Sequence, residues 1–431
     1  MRSSPRFPDR TGADPLAGQT LRLTGRGLAL LIVGVIIIVA AAWVGEPDLV
    51  WLGFLLLGLP LVGLLLTFLL RPQLRVTREI TPPQVPIGER PRTELSIENS
   101  RFLSFSSLEF RDTCPGALGA AARFALAYGV GRWHQSVGYE VRAEHRGHFE
   151  LGPLDVTHHD PFGLARCTWE VPGNASSLRV TPRVWNLTLP RRLIGSGSSG
   201  DSTPQRIGHF GQDDVLVREH RHGDDLRRVH WRMTAKQGEL MVRLEEHPWD
   251  PSVTLVVDNR SAAHAGSGPD GGFEWSISAV TSIAITLLAS RCRITVVSAE
   301  TEIYTTLHTD ALAARETMMG AMVDLTGSDR PSLSSGLSNS DSMGTSQSIM
   351  AALGFLQAAD AAALTAVGSR MQQASALVPD PVTWGVTPAI ADAHRAACRL
   401  LTSSGWTLHH YGPDERVVDA WDRLMARVEA A

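Results

Sequence analysis

Ser252-Val-Thr-Leu-Val-Val-Asp258 is the stretch on which the reading of the C-terminal half turns. It is a continuous apolar run ending in a carboxylate. It lacks the alternation of a strand with one wet face, and so predicts a strand buried on both sides. Helical periodicity follows from 274 to about 290, then a second buried-strand run, Arg293-Ile-Thr-Val-Val-Ser298. Further apolar runs sit at 349–356, 374–378 and 406–411, with helices expected near 311–325, 358–371, 388–403 and 415–428. Strands alternating with helices predict an α/β doubly wound parallel sheet covered on both faces over 250–431. Ligands of such sheets gather at the carboxyl ends of the strands, where Asp258 would stand. Within this half, 330–348 holds 8 serines in 19 residues, and 327–348 is expected to be a mobile loop.

Upstream the pattern changes twice. Residues 74–185 read as short strands broken by Pro and Gly, such as Leu74-Arg-Val-Thr-Arg-Glu-Ile80 and Arg92-Thr-Glu-Leu-Ser-Ile-Glu98. This predicts a β-sandwich-like domain over 71–190. Nearer the N-terminus two charge-free apolar runs, 28–44 and 49–70, flank Glu46-Pro-Asp48. About 20 apolar residues cross a bilayer as a helix, so the runs predict two N-terminal transmembrane helices, a hairpin over 28–70. Trp43 and Trp51 fall at interfacial depth beside its turn. Arg2, Arg6, Arg10, Arg22 and Arg26, in the leader 1–27, precede the hairpin, and Arg71, Arg75 and Arg78 follow it; the turn has no basic residue. The positive-inside rule then places both flanks in the cytoplasm; the location expected is the inner membrane. The lipid bilayer is the first partner expected.

Composition removes several function classes. Across 431 residues the net charge is −4 and only 19 % of residues are charged, which excludes a generally basic nucleic-acid wrapper, and no nucleic-acid partner is expected. Of the 40 basic residues one is lysine, Lys236, between Ala235 and Gln237, so there is no Gly-Lys-Ser/Thr phosphate loop. Cys114, Cys167, Cys292 and Cys398 lie dozens of residues apart and read as reduced thiols. No Gly-x-Ser-x-Gly elbow anchors a hydrolase triad. Gly195-Ser-Gly-Ser-Ser-Gly200 matches a dinucleotide fingerprint in form only, because no strand precedes it; 191–214 reads as a linker. The chain is expected to be no enzyme and to need no cofactor.

The densest charge lies in Arg218-Glu-His-Arg-His-Gly-Asp-Asp-Leu-Arg-Arg-Val-His-Trp-Arg232, continuing through Lys236 to Arg243. A helix capped by Asp225 would turn Leu226, Val229 and Met233 inward. It would line up Arg228, Arg232 and Lys236 as a stripe, ending at Gly238 before a strand over 240–244. The candidate partner-binding or interdomain residues are Arg218, Glu219, Arg221, Gly223, Asp224, Asp225, Arg227, Arg228, Trp231, Arg232, Lys236 and Arg243. The same charges also suit an ion-pair lattice bridging two domains. His220 and His222 alternate on one strand face, without a metal-site motif to support them.

This segment, 215–249, resembles the signature of the domain of unknown function 58 family. So do Arg146-Gly-His-Phe-Glu-Leu-Gly-Pro153, Asp160-Pro-Phe-Gly-Leu164 and Val180-Thr-Pro-Arg183. His220 replaces the Tyr usual there, and Lys236 an Arg. The resemblance implies a membrane-anchored β domain followed by a von Willebrand factor type A-like domain. It also implies a MoxR-type AAA+ ATPase as partner and a transglutaminase-like membrane protein as a further one. Type A domains often hold Mg²⁺ on Asp-x-Ser-x-Ser; here Asp258 keeps the first position, but Arg260 and Ala262 replace the serines and Ser261 is out of phase. That degenerate site predicts no metal. The functional expectation is a cytoplasm-facing interaction scaffold. The alternative is a metal-dependent or anion-sensing regulatory enzyme using Asp258 and the Arg-rich cluster.

Overall fold

The two charge-free runs fold as helices α1 (Gly25–Val44) and α2 (Pro47–Leu69), in a computed structural model that describes residues 20–102, 106–128, 131–189, 217–219, 231–243, 252–306, 310–338 and 348–430. Thr24 caps α1 by accepting the Gly27 N–H, and Gly45 closes it at φ 78°. The buried residues of α1 are Gly27, Gly34 and Ala41, and those of α2 include Gly53, Pro60 and Thr67. Both sets recur every seventh residue, the spacing that keeps one seam facing a partner helix. Small side chains let the backbones approach: a Cβ on Gly34 would stand 3.1 Å from the Gly53 carbonyl oxygen. Leucine, isoleucine and phenylalanine cover the outer surface. Both helices are long and apolar enough to cross a bilayer, and they are candidate membrane spans.

The chain divides into two units after Arg183. In the first, a β-rich region follows the hairpin. Its strands are β1 (Thr20–Leu23), β2 (Leu74–Thr81), β3 (Gln84–Pro86), β4 (Arg92–Asn99), β5 (Ser106–Asp112), β6 (Arg123–Tyr128), β7 (Trp133–Glu140), β8 (Gly147–Leu151), β9 (Leu154–His159), β10 (Ala165–Val171) and β11 (Ser176–Thr181). They form sheets of order β1-β10-β9-β5-β6, β2-β4-β7 and β3-β11-β8. The first two share a core, Val76, Leu95 and Ile97 meeting Phe110, Val156 and Trp169. Inward and outward residues alternate along β2 and β4, as a half-buried strand requires. β1 lies in the stretch read from sequence as leader; it pairs antiparallel with β10. Four residues with partners 142 to 148 positions away carry no periodic signal of their own. Arg78, counted among the flanking arginines, is wholly buried on Asp112, which also accepts the Tyr139 hydroxyl.

The second unit contains β12 (Val217–Glu219), β13 (Met241–Arg243), β14 (Ser252–Val257), β15 (Arg293–Val297), β16 (Glu302–Thr305), β17 (Ser348–Ala352), β18 (Gln373–Pro379) and β19 (Thr407–Tyr411). Its main sheet has the order β16-β15-β14-β17-β18-β19. The expectation of a parallel sheet needs one correction: five strands are parallel, but β16 is antiparallel to β15. Four residues separate β15 from β16, enough for a tight turn and too few for a crossover. Ser298 closes that turn, its N–H donated to the Thr301 carbonyl at 2.9 Å.

β14 is buried at every position and feeds both faces. Val253, Leu255 and Val257 join helices Gly272–Ala289, Ala311–Asp324 and Val417–Ala430 in one core. Val256 joins helices Ala358–Gly368 and Pro388–Ser403 in the other. Gly272–Ala289 is also long and apolar enough to cross a membrane, yet 72 % of its most apolar stretch is buried, against 17 % in α1 and α2; it is a core helix. The Ser-rich stretch is partly ordered by packing. Ser334–Ser338 is a helix, with Leu333 and Leu337 buried in the second core. Its remainder, 339–347, lies outside the described residues. Residues 184–189, within the stretch read from sequence as the β domain, belong to this unit. Leu187 enters its core, and Trp421 Nε1 donates to the Thr188 carbonyl at 2.8 Å.

Candidate functional site

β14 ends at Asp258 beside β17, where the order of the sheet reverses direction, and a doubly wound sheet opens its ligand crevice at that point. Here the crevice is filled from within. Asp258 is wholly buried; its Oδ1 accepts the Arg260 N–H at 3.1 Å and Nε at 2.9 Å, and its Oδ2 accepts Nη2 at 2.7 Å and the Gly354 N–H at 3.1 Å. The guanidinium continues to a second buried carboxylate, Nη1 to Asp360 Oδ2 at 2.8 Å. Asp360 also accepts the Leu333 N–H at 3.0 Å and the Gln357 N–H at 2.9 Å, the latter as part of a helix-capping box. Two carboxylates thus share one guanidinium and four backbone N–H donors.

Burial raises the cost of charge on both partners, yet the geometry outweighs it. Desolvation alone would lift the Asp258 carboxyl, but the forked hydrogen bonds and charge of Arg260 hold it below the usual carboxylate range. Arg260 moves up for the reciprocal reason. Burial lowers the His264 imidazole, and its Nε2 donates to the Asp258 carbonyl at 2.7 Å. Asn259 pins the loop: Oδ1 accepts the Ala299 N–H at 3.0 Å and Nδ2 donates to the Thr326 carbonyl at 3.0 Å.

The Mg²⁺ site that the resemblance implies does not fit these residues. Arg260 takes both oxygens of Asp258, and an added cation would meet a fixed like charge. Ser261 is exposed, and its N–H is donated to the Ser328 carbonyl. Asp360 is the partner that sequence reading missed; it lies 100 residues from Arg260 inside an ordinary helical pattern.

The Arg-rich segment is described in part. Arg218, Glu219 and Arg243 lie on the β12–β13 pair. Arg221, Gly223, Asp224, Asp225, Arg227 and Arg228 lie outside the described residues, as do His220, His222 and the proposed cap. Trp231–Gln237 is helical, and Gly238 closes it at φ 77°. Trp231 is 70 % exposed, and Arg232 and Lys236 are exposed on the same short helix.

One further cluster was not read from sequence. His394 and Cys398, one turn apart on Pro388–Ser403, meet His410 of β19 beside a cavity of about 670 Å³ that Arg395 and Arg399 also line. A His-x-x-x-Cys spacing is the only trace it leaves in sequence. Nδ1 of His394 accepts the Leu356 N–H at 3.0 Å, so the ring proton sits on Nε2, 3.5 Å from Cys398 Sγ. A metal at Nε2 would need that proton moved to Nδ1, against a buried amide donor. Burial pulls His394 down to about 4 and pushes Cys398 up to about 12, so both are neutral at pH 7.

The chain is thus a candidate membrane protein with a helical hairpin, a β-rich region and an α/β unit whose crevice is closed by an internal ion pair. Residues 216–371 match the family described as Protein of unknown function DUF58, which supports that family for this chain. No curated protein matches. Among solved structures, the CARDB domain of a Pyrococcus furiosus protein in complex with di-metal ions is 14 % identical, covers 25 % of this chain and 93 % of its own, and has a TM-score of 0.19. A non-cellulosomal cohesin from Archaeoglobus fulgidus is 16 % identical over 25 % of this chain and 91 % of its own, at 0.18. A β-glucosidase from Listeria innocua in complex with isofagomine is 11 % identical over 26 % of this chain and 16 % of its own, at 0.16. At these scores the likenesses carry no argument.

Proposed function

We propose that this chain is a non-enzymatic interaction scaffold, anchored in the inner membrane with its β-rich region and α/β unit in the cytoplasm. Its C-terminal unit is von Willebrand factor type A-like. It works with a MoxR-type AAA+ ATPase in the assembly or maturation of envelope proteins, with a transglutaminase-like membrane protein as a further partner. The carrying observation is the closed crevice. Asp258, Arg260 and Asp360 hold one another through buried hydrogen bonds, so neither carboxylate is open to a substrate or metal at the switch point beside β14, where such sheets do chemistry. The order β16-β15-β14-β17-β18-β19 with one antiparallel edge supports the type A-like reading. Arg22 before α1 and Arg26 in its first turn, with Arg71 and Arg75 after α2, support the orientation.

Recognition then falls to the outside of the domain. Trp231, Arg232 and Lys236 pair an exposed aromatic ring with two cations, the residue types enriched in protein interfaces being Trp and Arg. Affinity capture of the full chain from native membranes should recover an AAA+ ATPase, and Trp231→Ala with Arg232→Glu should cut that recovery at least tenfold. Capture without any AAA+ ATPase contradicts the scaffold reading.

A further inference from the structure

Outside α1 and α2, the exposed large hydrophobic side chains among the described residues of the first unit are Leu21, Phe102 and Phe162, exposed by 45, 69 and 54 %. All three lie where the hairpin meets the β-rich region. Leu21 stands three residues before the α1 cap. Phe102 follows Arg101, whose Nη1 donates to the carbonyl of Arg71, just past α2, at 2.9 Å. Phe162 is at the tip of the β9–β10 turn, which is fastened to both helices. The Thr24 hydroxyl donates to the Gly163 carbonyl at 2.7 Å, and the Thr24 N–H to the Leu164 carbonyl at 2.8 Å. Gly27 packs on Leu164, where a Cβ would stand 2.2 Å from its carbonyl oxygen; a Cβ on Gly63 would stand 3.1 Å from Asp160 Oδ2.

These contacts fix a depth. At 1.5 Å per residue, Gly27 is roughly 27 Å along α1 from the Gly45 apex and Gly63 roughly 24 Å along α2 from Pro47. The hydrocarbon of a bilayer is about 30 Å thick. With the charged apex Glu46-Pro47-Asp48 at one surface, the turn touching Gly27 and Gly63 reaches the opposite boundary from within. Asp160 tolerates that depth because its carboxylate is buried and accepts the Phe162 N–H at 3.0 Å and the Ala165 N–H at 2.6 Å. Exposed Arg22, Arg26 and Arg166 border the same place, suited to anionic headgroups.

We infer that the β9–β10 turn and residues 101–102, just past β4, form a lipid-immersed collar beside the hairpin, with Phe162 and Phe102 seated in the bilayer interface. The β-rich region is then held flat against the membrane at several points and does not swing on a tether. The inference rests on α1 and α2 spanning the bilayer, and its test separates the two. The full chain, in nanodiscs of phosphatidylethanolamine and phosphatidylglycerol, carries p-benzoylphenylalanine at one position at a time. Position 162 or 102 probes the collar, Ile36 on the outer face of α1 the anchor, and Arg90 the far end of β2 and β4. Irradiation should give phospholipid adducts by mass spectrometry at 36, 162 and 102, with at least tenfold less at 90. Adducts at 36 but background yield at 162 and 102, or adducts to a second protein copy there, overturn the collar and leave the anchor standing. No adduct at 36 removes the anchor and the collar together.

Discussion

Arg260 shows how one substitution changes what a strand end can do. Its guanidinium lies between Asp258 and Asp360, both wholly buried, and no group from outside replaces it. Arg260→Ala leaves two carboxylates without their cation, and breaking a buried pair in this way costs about 3–5 kcal/mol. Chemical denaturation followed by tryptophan fluorescence should show that loss; a change under 1 kcal/mol contradicts the pairing described. His394 gives a pH effect of defined sign. Burial lowers its folded value to about 4, so the unfolded chain takes up the proton first as pH falls below the ordinary imidazole value of 6.5. Its contribution is complete above about pH 6.5 and fades toward pH 4, up to about 3 kcal/mol at 1.36 kcal/mol per unit. His394→Asn, which keeps an acceptor for Leu356, should flatten denaturation midpoints across that window; an unchanged slope sinks the assignment. Of these residues Asp258 and Arg260 were legible in sequence, because two positions separate them. Asp360 was not, since only the fold brings it across 100 residues.

Elements were legible where periodicity was long. α1, α2, the Pro388–Ser403 helix and the buried strands all announce themselves through runs of apolar residues. β1 and β16 did not, being four residues each and made strands by their partners β10 and β15. The Ser334–Ser338 helix was hidden by serine, which favours turns; Leu333 and Leu337 order it by packing. The junction between α1 and the β9–β10 turn is the element-scale prediction. Gly27→Ala places a methyl on the Leu164 carbonyl, whereas Gly58→Ala meets nothing within 4 Å. In detergent, Gly27→Ala should lower stability by about 1–3 kcal/mol and Gly58→Ala leave it unchanged. Equal effects would contradict the close approach.

At the scale of the molecule, sequence reading separated anchor, β-rich region and α/β unit because each has its own hydrophobic period. It could not give strand order, nor where residues 184–189 belong, since both are decided by tertiary packing. The order places the crevice of the α/β unit at Asp258, and Arg260 closes it. Calorimetric titration of the full chain with Mg²⁺, Mn²⁺ and nucleotides addresses that claim directly. The closed, cation-independent site predicts no heat of binding for any of them. A stoichiometric heat that vanishes in Asp258→Asn would contradict it and restore the metal-dependent reading.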